Sequence, residues 1–128
     1  MKYLYLDIMK ESILVRFSTY EIKVISNIIT EVLHIIPVHS FQTRLGYYRE
    51  EVSYFLSRVK QDQCKVLSSS EHVEVEISED DLRILNNSFN EVCHGVKIGD
   101  FNEVVGIDKA SLKDMFEELR TLYQYFPQ

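Results

Sequence analysis

A chain of 128 residues, 45% apolar and 27% charged, fits one globular unit with its own core and does not fit a disordered tail. No apolar run reaches the roughly 18 residues of a membrane span, the opening MKYLYLDIMKE makes a poor secretion signal, and Cys64 and Cys93 do not form a disulfide framework, so a reduced, cytoplasmic protein is expected. The net charge of −6 is uneven: residues 1–70 carry nine Lys/Arg against seven Asp/Glu (+2), and residues 71–128 carry five against thirteen (−8), which suits a basic protein partner better than a phosphate backbone.

In chain order, residues 2–8 read as a strand. "ILVRF" (13–17) is a second, short and β-branched. Ser18 with Glu21 three residues on has the form of a capping box. Apolar residues at 22, 25, 29, 32, 33 and 36 then follow helical spacing until Pro37. A loop is expected over Phe41–Gly46. A second helix follows on the spacing of Val52, Phe55, Leu56 and Val59, and then a polar linker over 61–71. "VEVEI" (73–77) alternates strictly and is a third strand. Ser78 and Asp81 repeat the capping pattern, and apolar positions 82, 85, 89, 92, 93 and 96 give another helix, with Gly95 as a stop. A loop over Phe101–Gly106 and a helix through Leu112, Met115, Phe116 and Leu119 complete the chain.

Displaced by 60, residues 13–60 align with 73–120 without a gap. Eight pairs are identical: Val15/Val75, Ser18/Ser78, Asn27/Asn87, Glu31/Glu91, Val32/Val92, His34/His94, Phe41/Phe101 and Gly46/Gly106. The apolar positions of both helices match as well. The expectation is an α+β single domain: a strand–helix–helix unit written twice, with the extra strand 2–8, giving a small antiparallel sheet of about three strands covered by four helices.

Within each first helix, Asn27, Glu31 and His34, and likewise Asn87, Glu91 and His94, share one face beside the apolar stripe. Glu-x-x-His on two helices is half of a di-iron carboxylate site. The other half needs a glutamate from each second helix. Glu50, Glu51, Glu117 and Glu118 align with Ala110, Ser111, Ser57 and Arg58, so the symmetry such a site would keep is missing. The six residues are therefore read as a structural network orienting the Phe-to-Gly segments, with no metal and no cofactor. No phosphate loop, nucleophile elbow or zinc spacing is present, and Cys93 falls on the apolar stripe, so catalysis is not expected. A helix-turn-helix reading of "FNEVVGIDKASLKDMFEEL" meets an acidic second helix, and nucleic acid is not the expected partner.

Comparing the two copies also marks surface. Tyr20, Tyr48 and Tyr54 align with Asp80, Asp108 and Asp114, so the three tyrosines fall at positions where the other copy prefers water. With Arg44 and Arg49 nearby they have interface composition. In the second copy Asp100, Glu103, Asp108, Asp114, Glu117 and Glu118 make an acidic set over the loop and last helix.

"LRILNNSFNEVCHGVKIGDF" and "FQTRLGYYREEV" give an Asn-Glu-Val helix, a glycine stop, then Phe and Gly before another helix. In this the chain resembles immunity proteins of bacterial toxin systems, contact-dependent growth inhibition among them. The resemblance implies a small, acidic, cytoplasmic protein without a catalytic centre that covers a basic toxin domain. The ten residues Tyr20, Arg44, Tyr48, Tyr54, Asp100, Glu103, Asp108, Asp114, Glu117 and Glu118 are the expected contact set. A DNA-binding regulator of helix-turn-helix type and a metal enzyme built on Glu-x-x-His are the alternatives.

Overall fold

The computed structural model describes residues 1–64, 72–95 and 97–127. The order is β1 (Lys2–Asp7), β2 (Ser12–Ser18), α1 (Thr19–Ile35), α2 (Val38–Leu45), α3 (Arg49–Cys64), β3 (His72–Ser78), α4 (Glu79–Asn90) with a π-helical turn (Glu91–Gly95), α5 (Phe101–Val105), α6 (Lys109–Thr121) and a 3-10 turn (Leu122–Tyr125). The class is α+β, with one three-stranded antiparallel sheet in the order β1-β2-β3.

Alternation decides how the sheet faces. Ile13, Val15 and Phe17 of β2, and Val73, Val75 and Ile77 of β3, are buried on one face. The other face holds polar cross-strand pairs: Arg16 with Glu74 at 2.9 Å, and the Ser12 hydroxyl donating to Glu76 at 2.7 Å. The six α-helices among the described residues therefore lie on one side, and the core is one continuous apolar cluster between them and the sheet. At β1 the register slips between Tyr3 and Tyr5, leaving Leu4 as the extra residue. Tyr3 then stacks on Tyr125 with ring centroids 3.7 Å apart, so the C-terminal turn covers that strand.

The β2–β3 register reveals how the two copies are arranged. Val15 opposes Val75, Ile13 opposes Ile77 and Phe17 opposes Val73. Adding 60 to one residue of each pair and subtracting it from the other returns the same set. The strands are thus related by a pseudo-twofold axis through the Val15–Val75 pair. Both capping boxes form: Ser18 accepts from the Glu21 amide and Ser78 from the Asp81 amide, each at 3.0 Å, with the carboxylate returning to the serine amide. Each box carboxylate also takes a cation. Arg58 reaches Asp81 at 3.1 Å, and the Met1 amino group reaches Glu21 at 2.8 Å.

Two details depart from the sequence expectation. The segments read as loops, Phe41–Gly46 and Phe101–Gly106, are helical as α2 and α5 and end on glycine. Their few apolar residues, Phe41, Leu45 and Val105, bury against distant elements, and that supplies the stability which so short a helix lacks alone. The linker begins late, since α3 continues to Cys64; the rest of that expectation, 65–71, lies outside the described residues. Among the described residues no helix is long and apolar enough to cross a membrane.

Candidate functional site

The paired polar stripe sits where the copies interlock. α2 packs on α4, and α5 packs on α1, so each short helix docks on the first helix of the other copy. The asparagines tie these contacts. Asn27 donates from Nδ2 to the Val105 carbonyl at 3.1 Å, and Asn87 donates to the Leu45 carbonyl at 2.8 Å. Both carbonyls belong to the last helical residue before a glycine. Gly46 and Gly106 have φ of 77° and 88°, a region where a Cβ costs about 1–2 kcal/mol. A Cβ at either would also stand 3.5–3.7 Å from the asparagine amide.

The other stripe residues diverge. Glu91 is 8% exposed and takes a two-pronged hydrogen bond from Arg44, which also donates to the Gly95 carbonyl at 3.3 Å. The hydrogen bonds to Glu91 and its charge hold the Arg44 guanidinium above its ordinary value, against the opposing effect of burial. A Cβ at Gly95 would lie 2.1 Å from the Glu91 Oε2, so glycine there makes room for the pair. The mirror pair does not form, because the position equivalent to Arg44 is Val104, and among the described residues Glu31 pairs with no cation. His34 donates from Nδ1 to the Thr30 carbonyl of its own helix at 2.9 Å, and His94 is exposed. Among the described residues no three His, Cys, Asp or Glu side chains are grouped to hold a metal ion.

The contact set divides by location. Tyr20, Tyr48 and Tyr54 are 54%, 57% and 67% exposed. Tyr20, on α1, reaches the second copy: its hydroxyl donates to the Gly106 carbonyl at 2.9 Å, in the turn between α5 and α6. Tyr54 has the Arg58 guanidinium 5.9 Å over its ring, and Tyr48 stands just before α3, its amide donating to Glu51 at 2.9 Å. Arg44 is engaged by Glu91 and is no free cation.

Of the acidic set, Asp108 is the α6 N-cap, accepting from the Ser111 amide at 2.8 Å and the Ser111 hydroxyl at 2.9 Å. These bonds keep its carboxyl below the usual range. Glu118 lies 3.6 Å from the Met1 amino group, and Glu117 is 3.8 Å from Arg120. Asp100, Glu103 and Asp114 are exposed, and Asp100 adopts a left-handed φ of 51° just before α5.

Sequence reasoning missed a further exposed group. Ile8 and Met9, at the tip of the β1–β2 hairpin, are 79% and 93% exposed, and Tyr5 on β1 is 56% exposed. Beside them Leu6, Glu11, Glu79, Asp80, Arg83 and Phe126 line an open hollow of about 420 Å³. Two strands four residues apart force a turn at Ile8–Glu11, and that turn carries no Gly, Asn or Pro. A strand reading of 2–8 hid this signal.

Compared with protein-family models, with curated proteins and with solved structures, the chain matches none.

Proposed function

We propose that this chain is a cytoplasmic immunity protein that binds and neutralises a basic toxin domain by steering and steric cover. One observation carries the reading. The two copies share the order strand, helix, short helix, helix, so each serves as an internal control for the other. At three equivalent exposed positions one copy has aspartate and the other has tyrosine, with rings more than half exposed. The sister copy does without a ring at each of these positions, and among the described residues Tyr48 makes no side-chain hydrogen bond that the fold would lose. An exposed aromatic ring costs solubility and returns contact area when a partner covers it. The −8 charge of residues 71–128 supplies the long-range attraction to a basic partner.

The test is affinity purification of the tagged chain from its host, followed by binding kinetics with the captured toxin domain. Replacing Tyr48 and Tyr54 with aspartate, the sister residue, should weaken the complex at least about tenfold through faster dissociation. Reversing charge at Asp114 and Glu117 should slow association and flatten its salt dependence. A complex that ignores both sets overturns the reading.

The regulator alternative has shape in its favour. α2–Gly46–α3 and α5–Gly106–α6 are each a helix, a left-handed glycine and a longer helix. Charge runs against it. On α3, Arg49 donates to the Leu33 carbonyl and Arg58 to Asp81, while Glu50 and Glu51 face solvent. Salt-sensitive retention on duplex DNA would favour that reading instead.

A further inference from the structure

Between α4 with its π turn and α6 lies an open hollow of about 420 Å³, lined by Asn86, Asn90 and His94 on one side and Lys113, Phe116, Glu117 and Arg120 on the other. The first three recur at every fourth residue along one face of α4 and enter the π turn, which widens the backbone at His94. Phe116 forms an apolar floor, with the Arg120 guanidinium 5.8 Å over its ring.

The equivalent groove in the first copy shows what this one lacks. The equivalent positions there are Ser26, Thr30 and His34 on α1 and Ser53, Leu56, Ser57 and Lys60 on α3. Three of those side chains fold back onto their own helices: Thr30 donates to the Ser26 carbonyl at 2.7 Å, His34 to Thr30 at 2.9 Å and Ser57 to Ser53 at 3.1 Å. In the second copy Asn86, Asn90, His94 and Lys113 make no hydrogen bond or ion pair with the described residues. The Asn86 Oδ1 is buried without a partner, as is the Ser26 hydroxyl oxygen. A hydroxyl can turn toward its own helix carbonyl, whereas the Asn86 amide oxygen wants a donor from a bound molecule, such as a hydroxyl, and the Nδ2 groups of Asn86 and Asn90 can donate to an anion. Lys113 and Arg120 face it too, in the half of the chain that carries −8. Glu117 offsets them only loosely, being 74% exposed and 3.8 Å from Arg120.

We propose that this hollow binds a small anionic molecule, its phosphate or carboxylate held by Lys113 and Arg120 and its neighbouring polar atoms by Asn86, Asn90 and His94. Donors on two walls with a cation on each side of an apolar floor suit a compact oxyanion. The site meets the partner contact set only at Glu117; none of its anion-holding side chains belongs to that set, so the variants that test it leave the partner test untouched.

The test uses the full chain, with NMR of the asparagine side-chain amides during titration with inorganic phosphate and, separately, succinate, ionic strength being fixed with chloride. Saturable shifts of Asn86 and Asn90 are expected with one of the two, and which one names the anion. Lys113→Ser and Asn90→Thr install the first copy's residues at exposed positions. Each should weaken binding at least about tenfold, the worth of one charge-assisted hydrogen bond, while the melting temperature moves by less than about 2 °C. Linear, unsaturable shifts with both anions, or saturable shifts that neither variant alters, overturn the proposal.

Discussion

Replacing Arg44 with methionine keeps the length and apolar stem of the side chain and removes the guanidinium. Glu91 is then left at 8% exposure with its bidentate partner gone, and the Gly95 carbonyl loses a donor. Breaking a fully buried pair from one side costs about 3–5 kcal/mol. Here the side chains are 31% and 11% exposed, so water can reach part of the site, and about 2–3 kcal/mol is expected. In a chain of this size that lowers the melting temperature by about 6–10 °C. Urea denaturation followed by circular dichroism gives the free energy directly. Glu91→Gln should cost less, about 1 kcal/mol, because the abandoned Arg44 can turn to water. The double variant should be no worse than about 1 kcal/mol, since no uncompensated charge stays buried. If Arg44→Met cost under about 0.5 kcal/mol, the pair would be a surface ornament and the account of Gly95 and Glu91 would fall.

Gly46→Ala and Gly106→Ala should each destabilise by about 1–2 kcal/mol, and by similar amounts, because the two turns are equivalent; unequal losses in urea would refute that equivalence. Asp108 has a depressed carboxyl, so its contribution is fully present above the unfolded carboxylate value of about 4 and fades as pH falls through the lower folded value. Melting curves of the natural chain and of Asp108→Ala should therefore differ at neutral pH and converge in acid. Burial pushes the Cys93 thiol up, with Lys113 and Lys109 pulling weakly the other way, whereas Cys64 is exposed. Native chain treated with a thiol reagent at pH 8 should take one label, at Cys64, and two only after unfolding.

Much of the fold was legible because it is written twice. The displacement by 60 exposed the capping boxes, the strand–helix sequence and the water-facing positions, all of which depend on residues close in the chain. What the sequence concealed depends on distance. α2 and α5 looked like loops because Phe41 and Leu45, or Val105 alone, make too short a periodic pattern; their helicity rests on docking to the opposite copy. The Arg44–Glu91 pair joins residues 47 apart and has no counterpart at Val104, so alignment of the copies could not point to it. The Asn27 and Asn87 stripe was legible as polar and facing a Phe-to-Gly segment. That each asparagine reaches the other copy's segment follows only from the pseudo-axis. At the hollow between α4 and α6, the contrast of asparagine and lysine with serine and threonine was in the alignment, but its meaning needed the first copy's side chains to be seen folded back.

The pairing of Val15 with Val75 has a kinetic consequence. Only β1 and β2 can zip as a hairpin; the central joint of the sheet must close a loop of about 60 residues, at an entropic cost near 3.6 kcal/mol from the (3/2)RT ln n rule. Until that closure, the apolar faces of both units are open, and α2 and α5 lack the first helix of the other copy to dock on. The same closure can be made with the complementary half of a neighbouring chain, through an identical register. Refolding of concentrated protein thus sets a race between closure within a chain and exchange between chains, and the exchanged dimer would keep every core contact of the monomer.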